Sequence, residues 1–256
     1  MIRITYITIT YNAEAVLKRT LDSVLCQDYP KISHFIIDGA STDSTMAIID
    51  DYVRRSNEAD NGHRVQVTSE PDKGIYDAMN KGLRSIDGSY VCFLNAGDFL
   101  PAPDIVSRIV EQISEKDSPA VLYGDTDIVD SEGRFLHHRR LSPPEHLTWK
   151  SFRQGMLVCH QAFYARTDFA IATPYNMRYR YSADVDWCIR VMKAAAKERV
   201  PLLNLKMVVV NYTEEGQTTL HHRESLWERY HVMEHHYGRI QTFLLHCWFV
   251  VRAVFN

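Results

Sequence analysis

Apolar residues in the first hundred positions form short strand-like and helix-like runs that alternate along the chain. Ile2–Ile9 is a β-branched apolar run that predicts a buried strand, and Ala13–Cys26 has its apolar residues near helical spacing, which predicts a helix. The same alternation predicts further strands at His34–Ile37, Val65–Thr68 and Tyr90–Leu94, and further helices at Asp43–Val53, Ile75–Ile86 and Pro103–Ser114. Such alternation with short loops is typical of a parallel sheet with helices on both faces.

The second half of the chain has a less regular pattern. We find no internal repeat and no Pro/Gly-rich linker that would separate two independent units. We therefore expect one α/β domain with a mixed sheet and a C-terminal helical extension. The predicted elements are a strand at Val121–Tyr123, a hairpin of Thr126–Val129 with Arg134–His138, a helix at Asp184–Ala195, a strand at Leu202–Val210 and a helix at Arg223–Tyr237.

Composition narrows the classes of function. The 256 residues contain 29 Lys and Arg against 32 Asp and Glu, so the net charge is -3. A nucleic-acid binder needs an excess of basic residues to displace counterions from phosphates, and this balance argues against one. The five cysteines are odd in number, far apart and without metal-ligand spacing, which favours reduced thiols in a cytoplasmic protein.

The chain ends in an apolar segment. Residues 240–255 are rich in Leu, Phe, Val and Trp, but His246 and Arg252 interrupt them and the segment is too short to span a bilayer. Two interpretations stay open: the segment lies in a membrane surface, or it docks on the body of the protein. Because the first residues have no pattern of a secretion signal, we expect a cytoplasmic protein, with peripheral contact at the inner face of the membrane as the first interpretation implies.

Polar residues follow each of the first four predicted strands. These segments are Thr10–Asn12, Asp38–Asp43, Ser69–Gly74 and Asn95–Asp98. Open α/β sheets bind ligands beyond the carboxyl ends of their strands, which is where the four segments would meet. Asp, Asn, Ser and Gly are also ordinary loop and cap residues, but capping does not explain polar residues directly after the apolar fourth strand.

Two common phosphate-binding motifs are missing. The first strand is not followed by G-x-G-x-x-G, and G-x-x-x-x-G-K-[ST] does not occur, which argues against a dehydrogenase-type dinucleotide fold and a P-loop enzyme. A site that handles phosphate with carboxylates does so through a hard divalent cation held by one or two of them. We therefore expect a hard divalent cation if this site binds phosphate.

Taken in order, these motifs resemble the inverting, nucleotide-sugar-dependent glycosyltransferases of family 2, with the A-type glycosyltransferase fold. The resemblance runs from residue 2 to about residue 190, and it is similar to the branch found in bacterial capsule and exopolysaccharide gene sets. The segments that carry it are Thr10–Asn12, Asp38–Thr45, Glu70–Gly82, Phe93–Asp98, His160–Gln161 and Ala183–Asp186 with Arg190; Glu70–Gly82 is the most specific. The implied architecture is a three-layer α/β/α nucleotide-diphospho-sugar transferase fold.

The resemblance implies a nucleotide pocket at the start of the chain. It places Thr10, Tyr11 and Asn12 at the donor base and ribose. It also implies that Asp38 accepts hydrogen bonds from the donor base and that Asp72 lies near the same nucleotide.

The resemblance implies the reacting groups further along the chain. Asp98 would be the metal ligand that ties Mg²⁺ or Mn²⁺, the implied cofactor, to the diphosphate, with Asn95 beside it in the donor site. Asp184 matches the catalytic base of the family, and His160 and Gln161 would face the donor sugar or the acceptor.

Three positions depart from the family pattern. Gly39 stands where a second acid often follows the second strand, Asn95-Ala96-Gly97-Asp98 keeps only the last carboxylate of the usual D-x-D, and Ala183 replaces a common Glu. These departures leave one base and one metal carboxylate, so we still expect an active enzyme. Gln217, Thr218 and Thr219 form a candidate loop for closing over the donor phosphates, and an ordinary polar loop is the favoured alternative.

The implied function is a metal-assisted, inverting sugar transfer in cell-surface polysaccharide biosynthesis. A UDP-sugar is the favoured donor with a GDP-sugar as the alternative, and the acceptor is a saccharide or lipid-linked saccharide. Residues 1–200 would form the catalytic domain and 201–256 an acceptor- or membrane-facing extension. The competing hypotheses are a nucleotidyltransferase, for which residues 10–14 lack a phosphate loop, and an inactive sugar-nucleotide-binding protein.

Overall fold

The computed structural model describes residues 1–114, 118–214 and 222–255. The predicted loop Gln217–Thr219 lies outside this range. The strands of the described residues are β1 (Ile4–Thr10), β2 (Ile32–Asp38), β3 (Arg64–Ser69), β4 (Tyr90–Phe93), β5 (Val121–Val129), β6 (Phe135–His138), β7 (Phe163–Arg166) and β8 (Leu202–Thr213). Their α-helices are α1 (Leu17–Leu25), α2 (Thr45–Ala59), α3 (Ile75–Ser85), α4 (Ile105–Glu111), α5 (Thr167–Ala172), α6 (Ala183–Glu198), α7 (His222–Tyr237) and α8 (Arg239–Phe255).

The strands form one mixed sheet with the order β3-β2-β1-β4-β7-β5-β6, and β8 pairs with β5. Strands β1 to β4 run parallel, β7 lies antiparallel between β4 and β5, and β8 runs parallel to β5. Because β1 pairs with β2 on one side and β4 on the other, a crevice opens beyond the carboxyl ends of β1 and β4, where such sheets bind ligands.

Helices cover both faces of the sheet. Successive residues of β2 point to opposite faces, so Ile36 packs in a cluster with Leu17 and Ile49 of α1 and α2. Phe35 and Ile37 point the other way, into the larger core that includes residues of α3 and α6. This three-layer α/β/α architecture confirms the expected fold class.

The second half of the sheet differs from the sequence expectation in two places. Val121–Tyr123 and Thr126–Val129 belong to one strand, β5, which continues through Gly124. At Gly124 the backbone of β5 approaches the backbone of β8 closely, since a Cβ atom there would lie 2.7 Å from the Met207 carbonyl oxygen. Strand β7 and helix α5 were not predicted. The hairpin of β5 and β6 is confirmed.

The C-terminal residues begin inside the sheet. The boundary predicted at residue 200 falls between α6 and β8, and β8 continues the sheet through its pairing with β5. Helices α7 and α8 follow, separated by Gly238, whose backbone has φ = 87° and which turns one helix against the other.

Candidate active site

The loops that follow β1 and β2 are joined by reciprocal hydrogen bonds. The Asn12 backbone N–H donates to Ser41 Oγ at 2.8 Å, and the Thr42 N–H donates to Asn12 Oδ1 at 2.9 Å. One residue further, the Ala13 N–H donates to Thr45 Oγ1 at 2.8 Å. Asn12 has φ = 47°, a left-handed conformation that Asn tolerates better than most residues. The predicted nucleotide loop Thr10–Asn12 is therefore held in one geometry.

Asp38 is buried at the end of β2 and organises these loops. Its carboxylate accepts hydrogen bonds from Thr10 Oγ1, Ser69 Oγ, and both the backbone N–H and Oγ of Ser41. Burial opposes ionisation, but these donors outweigh it and hold the pKa of Asp38 below its ordinary value. Four donors occupy the acceptor sites of a carboxylate, so Asp38 joins the ends of β1, β2 and β3.

A second carboxylate, that of Asp72, lies beside Gly39. A Cβ atom on Gly39 would lie 2.6 Å from Asp72 Oδ2 and 3.3 Å from the Tyr11 ring. Asp72 Oδ1 accepts the Gly74 N–H at 2.7 Å, and the Tyr11 side chain is 65% exposed. The space that a second acid would take after β2 is thus filled by an acid from the loop after β3. We call the corner formed by Tyr11, Gly39 and Asp72 the acidic corner.

Asn95 and Asp98 lie in one turn after β4, across the crevice from the β1 loop. The Asp98 carboxylate is buried, and it accepts hydrogen bonds from Gln161 Nε2 at 2.8 Å and the Thr213 N–H at 3.0 Å. Burial outweighs these two donors and raises the pKa of Asp98 to about 7. Within the described part of the chain, the Asn95 Oδ1 atom is buried without a hydrogen-bond partner.

These two side chains offer hard oxygen ligands to a cation. An unsatisfied amide oxygen and a carboxylate that burial keeps from ionising both gain from a nearby positive charge. Among the described residues, no cluster of three or more His, Cys, Asp or Glu side chains is arranged as a metal site. The residues therefore fit a cation that takes most of its ligands from a bound diphosphate and water, as Mg²⁺ commonly does.

His160 and Gln161 have different environments although they are neighbours. Gln161 supports Asp98, and its Oε1 accepts a hydrogen bond from the Cys159 thiol at 2.9 Å. His160 is buried against Phe93, with Nε2 2.6 Å from the Tyr175 hydroxyl, and burial lowers its pKa to about 4 despite the charge of Asp184. These two neighbours thus contact the Asp98 carboxylate and the Tyr175 hydroxyl, respectively.

Asp184 is in the first turn of α6 and is half-buried. Its Oδ1 accepts one hydrogen bond, from the Tyr76 hydroxyl of α3 at 3.2 Å. The helix N-terminus also favours a negative charge at this position. Among the described residues, Asp184 is therefore a carboxylate with acceptor sites left for another molecule, unlike Asp38.

The sequence motif Glu70–Gly82 contributes two further residues that were not assigned a role. Tyr76 stacks on Tyr175 with ring centroids 5.5 Å apart while its hydroxyl reaches Asp184. One turn later, Asn80 pairs with the Tyr175 backbone in both directions, at 2.8 and 3.0 Å. Their spacing of four residues, which places both on one face of a helix, was the available signal.

Glu228 of α7 holds the segment before Asp184. Its carboxylate accepts the backbone N–H groups of Arg180, Tyr181 and Ser182 at 2.5–2.6 Å, where α6 begins. Like Thr213, Glu228 comes from the C-terminal extension, and no local pattern indicated its role.

Asp186 and Arg190 form an internal network of α6. Asp186 is buried and lies 2.6 Å from Arg190 Nε and 2.8 Å from His236 Nε2 of α7. Burial opposes its ionisation, but these partners hold the pKa of Asp186 below its ordinary value. The Arg190 guanidinium also donates to the Pro174 carbonyl, so its hydrogen bonds are directed into the protein.

Known glycosyltransferases match most of this chain in sequence. The family model "Glycosyl transferase family 2" matches residues 5–172. The chain is 32% identical over 212 residues to a "PGL/p-HBAD biosynthesis glycosyltransferase" of Mycobacterium tuberculosis, which covers 81% of this chain and 75% of that protein. It is 31% identical to an uncharacterized glycosyltransferase of the same species, over 73% of this chain and 68% of that protein.

Solved structures share the fold at lower identity. The S. aureus TarS 1–349 structure in complex with UDP-GlcNAc has a TM-score of 0.67 and 17% identity, over 84% of this chain and 59% of that one. A mannosyltransferase of Pyrobaculum calidifontis in complex with GDP-Man and Mn²⁺ has a TM-score of 0.61 and 20% identity, over 90% of this chain and 63% of that one. The chain thus spans about three-fifths of either structure. By sequence and by fold, this protein belongs to glycosyltransferase family 2.

Proposed function

We propose that the protein transfers a sugar from a nucleoside-diphosphate sugar to an acceptor hydroxyl with inversion at the anomeric carbon. The observation that carries this proposal is that neighbouring residues of one segment connect to two unlike carboxylates. Gln161 donates a hydrogen bond to Asp98, and His160 contacts Tyr175, whose ring stacks on the Tyr76 that donates to Asp184. Asp98 suits the departing diphosphate, and Asp184 suits the attacking hydroxyl.

Asp184 is the proposed general base. A half-buried carboxylate with a single internal donor can accept the proton of an acceptor hydroxyl as that oxygen attacks the anomeric carbon. The attack and the departure of the diphosphate occur on opposite faces in one displacement. An α-linked donor therefore gives a β-linked product.

Asn95 and Asp98 are the proposed diphosphate end of the site, with Mg²⁺ or Mn²⁺ as the cofactor. Asn95 Oδ1 and the Asp98 carboxylate would hold the cation, and Gln161 and the Thr213 N–H keep that carboxylate oriented. When bound, the cation supplies positive charge for the leaving group. The Mn²⁺ in the mannosyltransferase complex supports this choice of ion.

The acidic corner is the proposed nucleobase pocket, with Asp72 as the acceptor. Uracil and guanine both present ring N–H donors, for which a carboxylate is a suitable partner, and the exposed Tyr11 ring offers a stacking surface. Asp38 was expected to accept from the base, but its acceptor sites are already used by Thr10, Ser41 and Ser69. We propose that Asp38 supports the pocket without contacting the base.

The proposed donor is a UDP-sugar, with a GDP-sugar as the alternative, since the two structural relatives are complexes with UDP-GlcNAc and GDP-Man. The proposed acceptor is a saccharide or lipid-linked saccharide at the cytoplasmic face of the membrane, in surface polysaccharide assembly. The name of the mycobacterial relative, which refers to PGL/p-HBAD biosynthesis, supports an acceptor of glycolipid type.

The test is release of nucleoside diphosphate from a panel of UDP- and GDP-sugars with Mn²⁺, with water or a lipid-linked saccharide as acceptor. One donor should be consumed by the wild type, and Asp184→Asn should lower that rate by about 10²–10⁴-fold. An Asp184→Asn variant with the wild-type rate would contradict the base assignment. Binding of a donor without turnover would instead support the inactive-binder hypothesis.

Asp186→Asn is the matched comparison on the same helix. It breaks a buried ion pair and leaves Arg190 and His236 without their partner, so we expect a stability loss of about 3–5 kcal/mol. Asp184→Asn should leave the urea midpoint within experimental error of the wild type. This contrast separates a lost catalytic group from a damaged fold.

A further inference from the structure

Helix α8 has an apolar stripe on its outer side. Ile240, Phe243, Leu244 and Trp248 are 80, 60, 62 and 58% exposed. Together with the exposed Cys247, they follow the spacing of one helix face. We call these five residues the α8 stripe.

The opposite side of α8 is already packed. Thr242 is buried, and Leu245 and Phe249 pack against the main core. His246 lies over the Tyr230 ring of α7 at 4.8 Å. Docking on the body of the protein therefore accounts for one face of the helix, and it leaves the α8 stripe facing outward. Sequence alone could not separate these two faces, because both are apolar.

The charged residues of α8 itself are all basic, and one of them, Arg239, is ion-paired with Glu234 of α7 at 2.9 Å. The helix sequence contains Arg239 and Arg252 but no Asp or Glu. The short 3-10 helix Ser151–Gln154, which contacts α8, adds Lys150 at its start and Arg153 within it. Basic residues beside exposed Trp, Phe and Leu side chains are typical of helices that lie in the headgroup region of an anionic membrane.

We propose that the α8 stripe binds the surface of a bilayer that contains anionic lipid, with α8 lying parallel to that surface. None of the described helices has the length and apolar content to cross a bilayer. A second copy of the chain fits less well, because the four exposed side chains in the described part of α8 bury on the order of 500 Å², below the roughly 800 Å² per partner of a stable interface. The proposal goes beyond the transferase reaction, since binding needs no substrate.

The test is flotation of the full chain with vesicles of phosphatidylcholine and phosphatidylglycerol (7:3) and with pure phosphatidylcholine vesicles. The wild type should bind the anionic vesicles at least tenfold more tightly than the neutral ones. Phe243→Ser with Trp248→Ser should reduce that binding at least tenfold. Ile171→Ser, which changes an exposed apolar residue of α5, is the matched control and should bind like the wild type.

A second variant guards against a folding defect. Ile240→Gln with Leu244→Gln changes the other half of the α8 stripe and should give the same loss, with an unchanged circular dichroism spectrum. Equal binding by wild type and both variants, or no wild-type binding, would overturn the proposal. So would a wild-type dimer in sedimentation velocity that the variants convert to monomer. None of these outcomes depends on sugar transfer.

Discussion

Asp38 and Asp98 are both buried at the carboxyl ends of parallel strands, yet their environments differ. Asp38 receives four hydrogen bonds from its own and neighbouring loops, and its pKa is lowered. Asp98 receives two, and burial raises its pKa to about 7. The balance between hydrogen-bond donors and the desolvation of the carboxylate decides which of the two the fold satisfies by itself.

This difference separates a supporting residue from a candidate ligand-binding residue. Donors within the protein satisfy the hydrogen-bonding capacity of the Asp38 carboxylate. Asp98 and the unsatisfied Asn95 Oδ1 in the same turn are instead stabilised when a positive charge binds next to them. Both had been assigned to the donor site from the sequence resemblance. Substitutions that remove the charge without changing size should therefore affect the two positions differently.

The largest expected difference is in catalysis. Asp98→Asn should lower kcat/KM for the nucleotide sugar by about 10²–10³-fold, because it removes one charged group from the diphosphate end of the transition state. Initial rates at saturating Mn²⁺ measure this effect. A loss below threefold would show that Asp98 does not serve the diphosphate.

The second difference is in stability. Asp38→Asn should cost about 1–3 kcal/mol, because an amide nitrogen replaces an acceptor that faces Ser and Thr donors. Metal-free Asp98→Asn at pH 7 should lose less than Asp38→Asn, because the Gln161 amide can turn to accept from the new amide nitrogen and no buried charge remains. Urea unfolding of both variants measures the comparison. Equal losses would contradict it.

The third difference is the direction of pH dependence. The raised pKa of Asp98 means that the native state holds a proton which the unfolded state releases near its ordinary pKa of 3.8, so its contribution to stability falls between about pH 4 and pH 7. The lowered pKa of Asp38 has the opposite sign: its contribution is lost as pH falls below about 4.

Metal-free unfolding free energies from pH 3 to pH 8 test these two signs. Asp98→Asn should flatten the decline between pH 4 and pH 7 and leave the acid limb in place. If the unfolding free energy of Asp98→Asn declines as in the wild type, another titratable group causes that decline.

A smaller effect is expected at the acidic corner. Gly39→Ala places a methyl group 2.6 Å from the present position of Asp72 Oδ2, so the flexible carboxylate must move while the backbone, which has no positive φ at Gly39, need not. We expect about tenfold weaker nucleotide binding, the equivalent of one hydrogen bond to a charged group. Calorimetry measures the affinity. Wild-type affinity would remove Asp72 from the base pocket.

The smallest effect is expected at Tyr76. Tyr76→Phe removes the one donor to the Asp184 side chain that the described residues provide, worth about 1 kcal/mol or fivefold in kcat, and leaves nucleotide affinity unchanged. Tyr175→Phe is the matched control, since it removes a hydroxyl that reaches His160 and not Asp184. Equal kcat losses in the two variants would indicate a general packing effect of the aromatic cluster.

Much of the first half of the fold could be predicted, because its strands and helices are local and apolar. Strand β7 could not, since its four residues acquire their pairing from β4 and β5. The strand predicted at Val121–Tyr123 stopped before Gly124, whereas β5 continues through it, and the opposing backbone at Met207 shows why glycine occurs there.

In the candidate site, too, local patterns located individual residues but not the contacts between residues that are distant in sequence. Motifs located Asp98 and Asp184, but Tyr76 is 108 positions from Asp184 and Thr213 is 115 positions from Asp98. The internal satisfaction of Asp38 depends on Thr10 and Ser69 from two adjacent strands. A linear sequence does not report such nonlocal hydrogen bonds.

The most direct test of the central claim is calorimetric titration of UDP and of GDP into wild type, Asp98→Asn and Asp38→Asn, each with and without Mn²⁺. Mn²⁺ should tighten binding of at least one nucleotide by tenfold or more in the wild type and in folded Asp38→Asn. It should have no such effect in Asp98→Asn. The assignment of the Asn95–Asp98 turn to a cation-bridged diphosphate would be contradicted if neither nucleotide showed Mn²⁺-dependent binding to the wild type, or if the Mn²⁺ dependence persisted in Asp98→Asn.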